Sequence, residues 1–97
     1  MRKNFSVSLC REGVLGGMLT VEGDALTYRT GKVTVSPGLR KLRLPLDQIS
    51  SVTMGWSFIF PSLAVTMADG ERYLFLIFAP RALRESLEGV GLKVANG

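Results

Sequence analysis

SLAVTMADGERYLFLIF, residues 62–78, is the stretch that decides the fold. Two apolar runs flank Asp69-Gly70, a dipeptide that favours the tight two-residue turn of a β-hairpin. The pattern predicts strands over residues 62–68 and 71–78. Because a short turn joins strands that are neighbours in the sequence, the stretch predicts an antiparallel, meandering sheet.

Upstream of this hairpin, further strand-like runs alternate with turn residues. Residues 5–9 alternate apolar and polar side chains, which is typical of a half-buried strand. The glycine pair Gly16-Gly17 inside the second run predicts a bulge or a close approach of another backbone. Residues 22–24 predict a tight turn, and residues 31–39 predict a loop or a ragged edge hairpin. Strands are predicted over residues 14–21, 25–30, 40–46 and 49–55.

Downstream of the hairpin, the pattern changes to that of a short helix. Pro80 suits the first helical position, and Leu83 and Leu87 lie four residues apart on one face. Arg81 with Glu85, and Arg84 with Glu88, are predicted as i,i+4 pairs on the solvent side, and Gly89 as the stop. Residues 91–97 are predicted to be a tail or a short extra strand.

Length and composition predict a single globular domain over residues 1–97. The chain has 97 residues, of which 46% are apolar and 21% charged. Its longest apolar run is too short to span a bilayer, and the N-terminal residues lack a secretory pattern. One cysteine cannot form an internal disulfide, so we expect a cytoplasmic location.

Three groups of residues resemble the motifs of the GRAM domain. The first is Gly16-Gly17-Met18-Leu19 followed by Leu26-Thr27-Tyr28, which is similar to the opening hairpin of that family. The second is Leu44-Pro45-Leu46-Asp47-Gln48-Ile49 with Val52, and the third is Leu63-Ala64-Val65, Asp69-Gly70, Tyr73 and Phe75. Their order and spacing cover residues 13–90, nearly the whole chain.

This resemblance implies a mainly β, pleckstrin-homology-like fold. Such a fold is a partly open seven-stranded antiparallel barrel of two near-orthogonal sheets, closed by one C-terminal α-helix. Proteins of the superfamily commonly bind phosphoinositides, other lipids or protein partners. This chain departs from the family in carrying Glu22-Gly23, followed by Asp24, at the first hairpin turn. Two carboxylates would repel a phosphorylated head group there, which disfavours phosphoinositide binding.

The residues argue against an enzyme. The chain has no histidine, which excludes Ser-His, Cys-His and histidine-metal arrangements. Cys10 lies at an apolar strand end and is interpreted as a structural thiol rather than a reactive one. The carboxylates are scattered among turns and the helix, and no phosphate-cradling glycine loop is present. We therefore expect no catalytic residues, no cofactor, no metal site and no small-molecule substrate.

A basic segment lies in the first half of the chain. Five cations fall within fifteen residues with no acid among them: Arg29, Lys32, Arg40, Lys41 and Arg43. One interpretation is a patch for anionic lipid, an acidic partner or a nucleic acid backbone. The other is a solvated strand face that keeps a sheet edge soluble. Nucleic acid is the weakest of these partners, since no aromatic side chains interleave with the charges on one face.

Two apolar features are candidates for an interaction surface. The predicted loop over residues 56–61 carries Trp56, Phe58 and Phe60 on one side, and it is either an exposed tip or a plug of the barrel. In the last strand Leu74, Leu76 and Phe78 face away from the core that Tyr73, Phe75 and Ile77 enter. Either the following helix or a second copy of the chain is expected to cover them.

These features together predict a non-catalytic binding module that contacts a protein partner or itself in the cytoplasm. The alternative is a peripheral membrane module, in which the basic strand contacts anionic head groups and the aromatic loop inserts into the bilayer.

Overall fold

The computed structural model describes residues 3–10, 14–31, 41–57 and 59–96. Their backbone forms strands β1 Lys3–Cys10, β2 Val14–Val21, β3 Ala25–Arg29, β4 Lys41–Pro45, β5 Ile49–Ser57, β6 Phe60–Met67, β7 Arg72–Ile77 and β8 Val94–Asn96, with helix α1 Pro80–Gly89 before β8. One turn of 3-10 helix, Leu46–Gln48, joins β4 to β5. The predicted mainly β class with a C-terminal helix is confirmed. The predicted loop over residues 31–39 lies outside the described residues, apart from Gly31.

The strands form one sheet in the order β4-β3-β2-β1-β7-β6-β5-β8, which is not closed. Neighbours among β1 to β7 pair antiparallel, as predicted. The sheet is continuous and not divided in two, because β1 pairs with β2 on one side and β7 on the other. The C-terminal tail forms the eighth strand, which pairs with β5 in parallel. The sequence predicted either a tail or a short strand here, because three residues carry little pattern.

The core lies on one face of the sheet, which is called the inner face. Tyr28 of β3 and Phe75 of β7 meet there with ring centroids 5.6 Å apart. Three strand spacings separate β3 from β7, which would be about 14 Å in a flat sheet. The sheet therefore curls over its inner face and brings its two halves together around the core.

Helix α1 closes this core. Leu83 and Leu87 are buried in the same cluster as Phe75, and Pro80 is the first helical residue, as predicted. The helix ends at Gly89, as predicted, but the glycine in the left-handed conformation is Gly91, with φ of 94°. Hydrogen bonds from Gly91 N to Glu88 O and from Leu92 N to Leu87 O complete a Schellman cap.

The turn between β6 and β7 is one residue longer than predicted. Met67 N donates to Glu71 O over 2.7 Å, so the loop contains Ala68, Asp69 and Gly70. Gly70 has φ of 94°, the left-handed position that a three-residue hairpin loop requires. Asp69-Gly70 therefore locates the hairpin correctly, but Gly70 is the third loop residue and not the second.

Gly17 marks a close approach of two strands rather than a bulge. The β1–β2 register runs unbroken from Lys3↔Val21 to Cys10↔Val14. A Cβ at Gly17 would lie 2.4 Å from Arg29 O and 2.8 Å from the Tyr28 ring. The ring of Tyr28 thus fills the space over Gly17, and of the two predicted explanations for the glycine pair the close approach is confirmed.

Candidate functional site

The outer face of β3 and β4 carries the described part of the basic segment. Arg29, Lys41 and Arg43 are exposed, and Arg29 is the direct cross-strand partner of Lys41. Lys41 and Arg43 share this face, as predicted, because they alternate with the half-buried Leu42. The other two predicted cations, Lys32 and Arg40, lie outside the described residues.

Arg29 and Lys41 form a like-charged pair. Directly opposed like charges destabilise a sheet by a few tenths of a kcal/mol to about 1 kcal/mol. Within the part of the chain that the structure describes, neither side chain makes a salt bridge. Neither cation therefore has a salt-bridge partner among the described residues, although Glu22 lines the same surface hollow.

Arg43 is compensated by the acidic turn between β2 and β3. Its guanidinium Nη2 donates to Asp24 Oδ2 over 3.1 Å. The Arg43 side chain is 54% exposed and that of Asp24 79%, so water screens most of the attraction. The acidic turn, which we interpreted from the sequence as repelling an anionic head group, therefore also neutralises Arg43.

The apolar segment after Gly55 is a β-hairpin and not a loop. β5 extends to Ser57 and β6 begins at Phe60, with Trp56 paired to Pro61 and Ser57 to Phe60. Trp56 is 72% exposed, Ile59 67% and Phe60 44%, so these side chains do not plug the core. Phe58 lies outside the described residues.

Trp56 and Phe60 lie on opposite faces of this hairpin. Cross-strand partners share a face, so Trp56 lies with Pro61 on the inner face and Phe60 lies on the outer face. The prediction that Trp56, Phe58 and Phe60 share one side is therefore wrong for Trp56 and Phe60. The cause is that Trp56 and Phe60 belong to different strands of the hairpin, so alternation along one strand does not relate them.

A second candidate surface lies on the outer face of β6 and β7. Leu74 and Leu76 are half-buried, and Phe78, directly after β7, is 60% exposed. Their strand partners on β6 are Ala64 for Leu74 and Ser62 for Leu76. Phe60 of β6 completes this surface. The outer apolar face is defined as the surface formed by Phe60, Leu74, Leu76 and Phe78. Tyr73, Phe75 and Ile77 point inward, as predicted.

Helix α1 does not cover the outer apolar face. Its buried residues, Leu83 and Leu87, pack into the core on the inner side, together with Phe75 and Ile77. A helix on one side of a curled sheet cannot contact the other side. Of the two covers expected from the sequence, the helix is therefore excluded for this face.

A groove that the sequence did not predict lies between the end of β5 and the start of α1. Trp56, Gly55 and Pro80 line it together with Arg81 and Arg84. The predicted i,i+4 pairs are not formed: in the described chain, neither arginine makes a salt bridge with Glu85 or Glu88. Arg84 instead donates a hydrogen bond to Asn96 Oδ1 of β8. The sequence could not predict this hydrogen bond, because the bond depends on where β8 pairs in the sheet.

The described residues also bear on metal binding, thiol chemistry and membrane crossing. Among them, no group of three or more Cys, Asp or Glu side chains could hold a metal ion. Cys10 is half-buried and unpaired at the end of β1. No helix in the described part of the chain has the length and apolar content needed to cross a membrane.

Comparison with known proteins bears on the fold alone. No family model matches the chain. No curated protein matches it. Among solved structures, the chain is similar to the C-terminal domain of an unknown protein from Leishmania infantum, with a TM-score of 0.68 and 14% sequence identity. The match covers 87% of this chain and 80% of the other, so the two share an architecture.

Proposed function

We propose that the chain is a non-catalytic binding module of the GRAM or pleckstrin-homology-like type, which associates with a second copy of itself in the cytoplasm. The fold part of the proposal is supported by the positions of the motifs. Gly17 lies under Tyr28 at the opening hairpin, and Leu46–Gln48 forms the turn between β4 and β5. The contact between Tyr28 and Phe75 gives the curled sheet that a partly open barrel requires.

The observation that carries the proposed contact is the outer apolar face. Soluble antiparallel sheets usually present polar side chains on the face away from the core. Here Leu74, Leu76 and Phe78 alternate along one strand on that side, and the helix packs elsewhere. Covering such a face removes apolar surface from water, which stabilises the covered state by about 25 cal/mol per Å².

A second copy of the chain is the occupant that the uncharged character of the outer apolar face favours. The chain has a formal net charge of +4, so two copies repel each other over most orientations. The outer apolar face itself consists of uncharged side chains, with Ser62 and Ala64 between its larger members. A two-fold contact places the same patch on both sides, and a neutral apolar patch is compatible with itself.

The test is the mass in solution by sedimentation equilibrium. We expect wild-type protein to approach twice the chain mass of 10.6 kDa at high concentration. Leu76→Asn and Phe78→Asn should return it to the monomer mass. Met18→Asn is the matched control, since Met18 is a 41% exposed apolar side chain on β2. A wild-type mass of 10.6 kDa at every concentration, or equal effects of all three changes, contradicts the proposal.

The second candidate is a peripheral membrane module. The like-charged pair Arg29 and Lys41 favours it, as does the exposed Trp56. In the sheet, however, Lys41 on β4 and Trp56 on β5 are separated by strands β3, β2, β1, β7 and β6. Co-sedimentation with anionic vesicles at low salt tests this function. It predicts binding that is lost in the double variant Arg29→Glu with Lys41→Glu, and it fails if wild-type protein stays in the supernatant.

A further inference from the structure

A surface hollow lies on the outer face of β2, β3 and β4. The register places Thr20 of β2, Thr27 of β3 and Arg43 of β4 side by side in one cross-strand row. Arg29 and Lys41 belong to the next row, two residues away along their strands. All five residues line the hollow, whose volume is about 490 Å³. Short threonine side chains therefore lie between longer cationic ones.

The cations of the hollow have few acidic neighbours. Among the described residues, Arg43 alone of the three makes a salt bridge, and its partner is Asp24. Glu22 lines the hollow as well, but the connection from β3 to β4 adds no acid, because residues 25–46 contain no Asp or Glu. Arg29 and Lys41 repel each other across the strands, so a bound anion relieves this repulsion in addition to gaining its own attraction.

The spacing of the cations matches that of an extended peptide segment. Lys41 and Arg43 are two residues apart on β4, which is about 7 Å along a strand. Alternate side chains of an extended segment point to one side with the same spacing. Acidic residues at alternate positions of such a segment would therefore meet Lys41 and Arg43 in succession.

We propose that this hollow binds an acidic segment of a partner protein. One carboxylate of the segment pairs with Arg29 and Lys41, and the next competes with Asp24 for Arg43. The hydroxyl of Thr27, which lies between these cations, can donate a hydrogen bond to the first carboxylate. The site goes beyond the proposed self-association, which uses the outer face of β6 and β7 and not that of β2 to β4.

A protein segment fits this hollow better than a bilayer surface does. A bilayer presents anionic head groups over a wide area, so its charge would also approach Glu22 and Asp24 beside the cations. The described lining contains no aromatic side chain that could enter the membrane interface, and Trp56 lies on the inner face of the sheet. A protein segment places its carboxylates at the cations alone.

The test uses a fluorescent peptide of about nine residues with Glu at alternate positions and Ser between them, and a Lys-for-Glu peptide as counterpart. Fluorescence anisotropy at about 0.15 M salt, which screens distant charges, should detect the acidic peptide alone. Arg29→Glu should weaken its binding by about tenfold or more. Arg81→Glu changes the net charge equally at an exposed position of α1 and should bind within about twofold of wild type.

Asp24→Asn tests the same site in the opposite direction. The substitution releases Arg43 from its carboxylate partner, so the acidic peptide should bind about two- to fivefold more tightly. Glu88→Gln on α1 changes the net charge by the same amount and should leave the affinity unchanged. In amide NMR spectra, the acidic peptide should shift the signals of Thr27, Arg29 and Lys41.

The proposal is overturned if the acidic peptide does not bind at millimolar concentration, if both peptides bind equally, or if Arg81→Glu loses as much affinity as Arg29→Glu. Signal changes confined to strands other than β2, β3 and β4 also overturn it. A monomeric Phe78→Asn protein that still binds the acidic peptide supports the hollow independently of self-association. Binding to anionic vesicles that Arg29→Glu abolishes, with no peptide binding, assigns the hollow to a membrane instead.

Discussion

The two faces of β7 carry side chains of similar chemistry in different surroundings. Phe75 and Ile77 are 0% and 1% exposed on the inner face, where Leu83 of the helix joins them. Leu74 and Leu76, one residue away, are half-buried on the outer face, and Phe78 is 60% exposed. Hydrophobicity alone therefore does not define the core of this sheet. The curl and the position of α1 decide which apolar face is buried.

The largest difference between the faces is expected for truncation of neighbouring side chains on β7. Phe75→Ala removes a fully buried ring that contacts Tyr28, and we expect a loss of about 3–5 kcal/mol in the free energy of unfolding. Leu74→Ala, the matched change on the outer face, should cost about 1 kcal/mol or less. Urea unfolding followed by circular dichroism measures both. Equal losses at a concentration where the protein is monomeric would show that the outer face is covered within one chain.

The glycine pair in β2 gives a second comparison between the faces. Gly17→Ala places a methyl group against Arg29 O and the Tyr28 ring, and we expect a loss of about 1–3 kcal/mol. Gly16→Ala meets no atom within 4 Å and should leave the free energy of unfolding unchanged or raise it by about 0.4–1 kcal/mol. Thermal unfolding of the two variants side by side is the measurement. A stable Gly17→Ala protein would contradict the close approach.

A smaller effect on the inner face concerns alkaline pH. Burial raises the pKa of Tyr28 above its ordinary value of 10.0, and a hydrogen bond with Thr30 acts in the opposite direction. The folded state therefore favours the neutral phenol. The resulting stability is fully present below the unfolded pKa of about 10 and is lost as pH rises through the higher folded pKa.

Urea midpoints measured from about pH 8 to about pH 11 test this dependence. The midpoint should fall at the alkaline end for wild-type protein and fall less for Tyr28→Phe. An identical alkaline profile for the two proteins would mean that other groups cause the loss.

The smallest effects are expected for charges on the outer face of β3 and β4. Asp24→Asn breaks an exposed ion pair with Arg43 and should lower the free energy of unfolding by less than about 1 kcal/mol, and by less still at high salt.

Lys41→Thr relieves the like-charged contact with Arg29 and should raise the free energy of unfolding by a few tenths of a kcal/mol to about 1 kcal/mol. Unfolding midpoints at low and high salt distinguish the two. A destabilising Lys41→Thr would indicate that Lys41 has a partner.

Much of the architecture was predictable because its signals are local. Alternation in residues 71–78 assigns Phe75 and Ile77 to the core, and the spacing of Leu83 and Leu87 gives the buried stripe of α1. Asp69-Gly70 locates the last hairpin, although Gly70 makes its loop one residue longer than predicted. These features depend on a residue and its near neighbours in the chain.

The candidate surfaces were only partly predictable because they depend on residues distant in sequence. Trp56 and Phe60 were placed together by alternation, but the hairpin turn between them places them on opposite faces. Arg81 and Arg84 were predicted to pair along the helix, whereas β8 brings Asn96 to Arg84 and leaves Arg81 at the groove. A strand of three residues has no pattern from which either contact could be predicted.

Local sequence patterns predict the succession of strands along the chain, the inward and outward side chains of most strands, and the helix that follows the last hairpin. Backbone conformation and side-chain alternation are set by neighbouring residues, so a single chain suffices to predict them. The folded structure alone shows the continuous sheet, the position of α1 on its inner face and the parallel pairing of β8 with β5. Those features result from packing between distant segments, whose free energies depend on the whole fold.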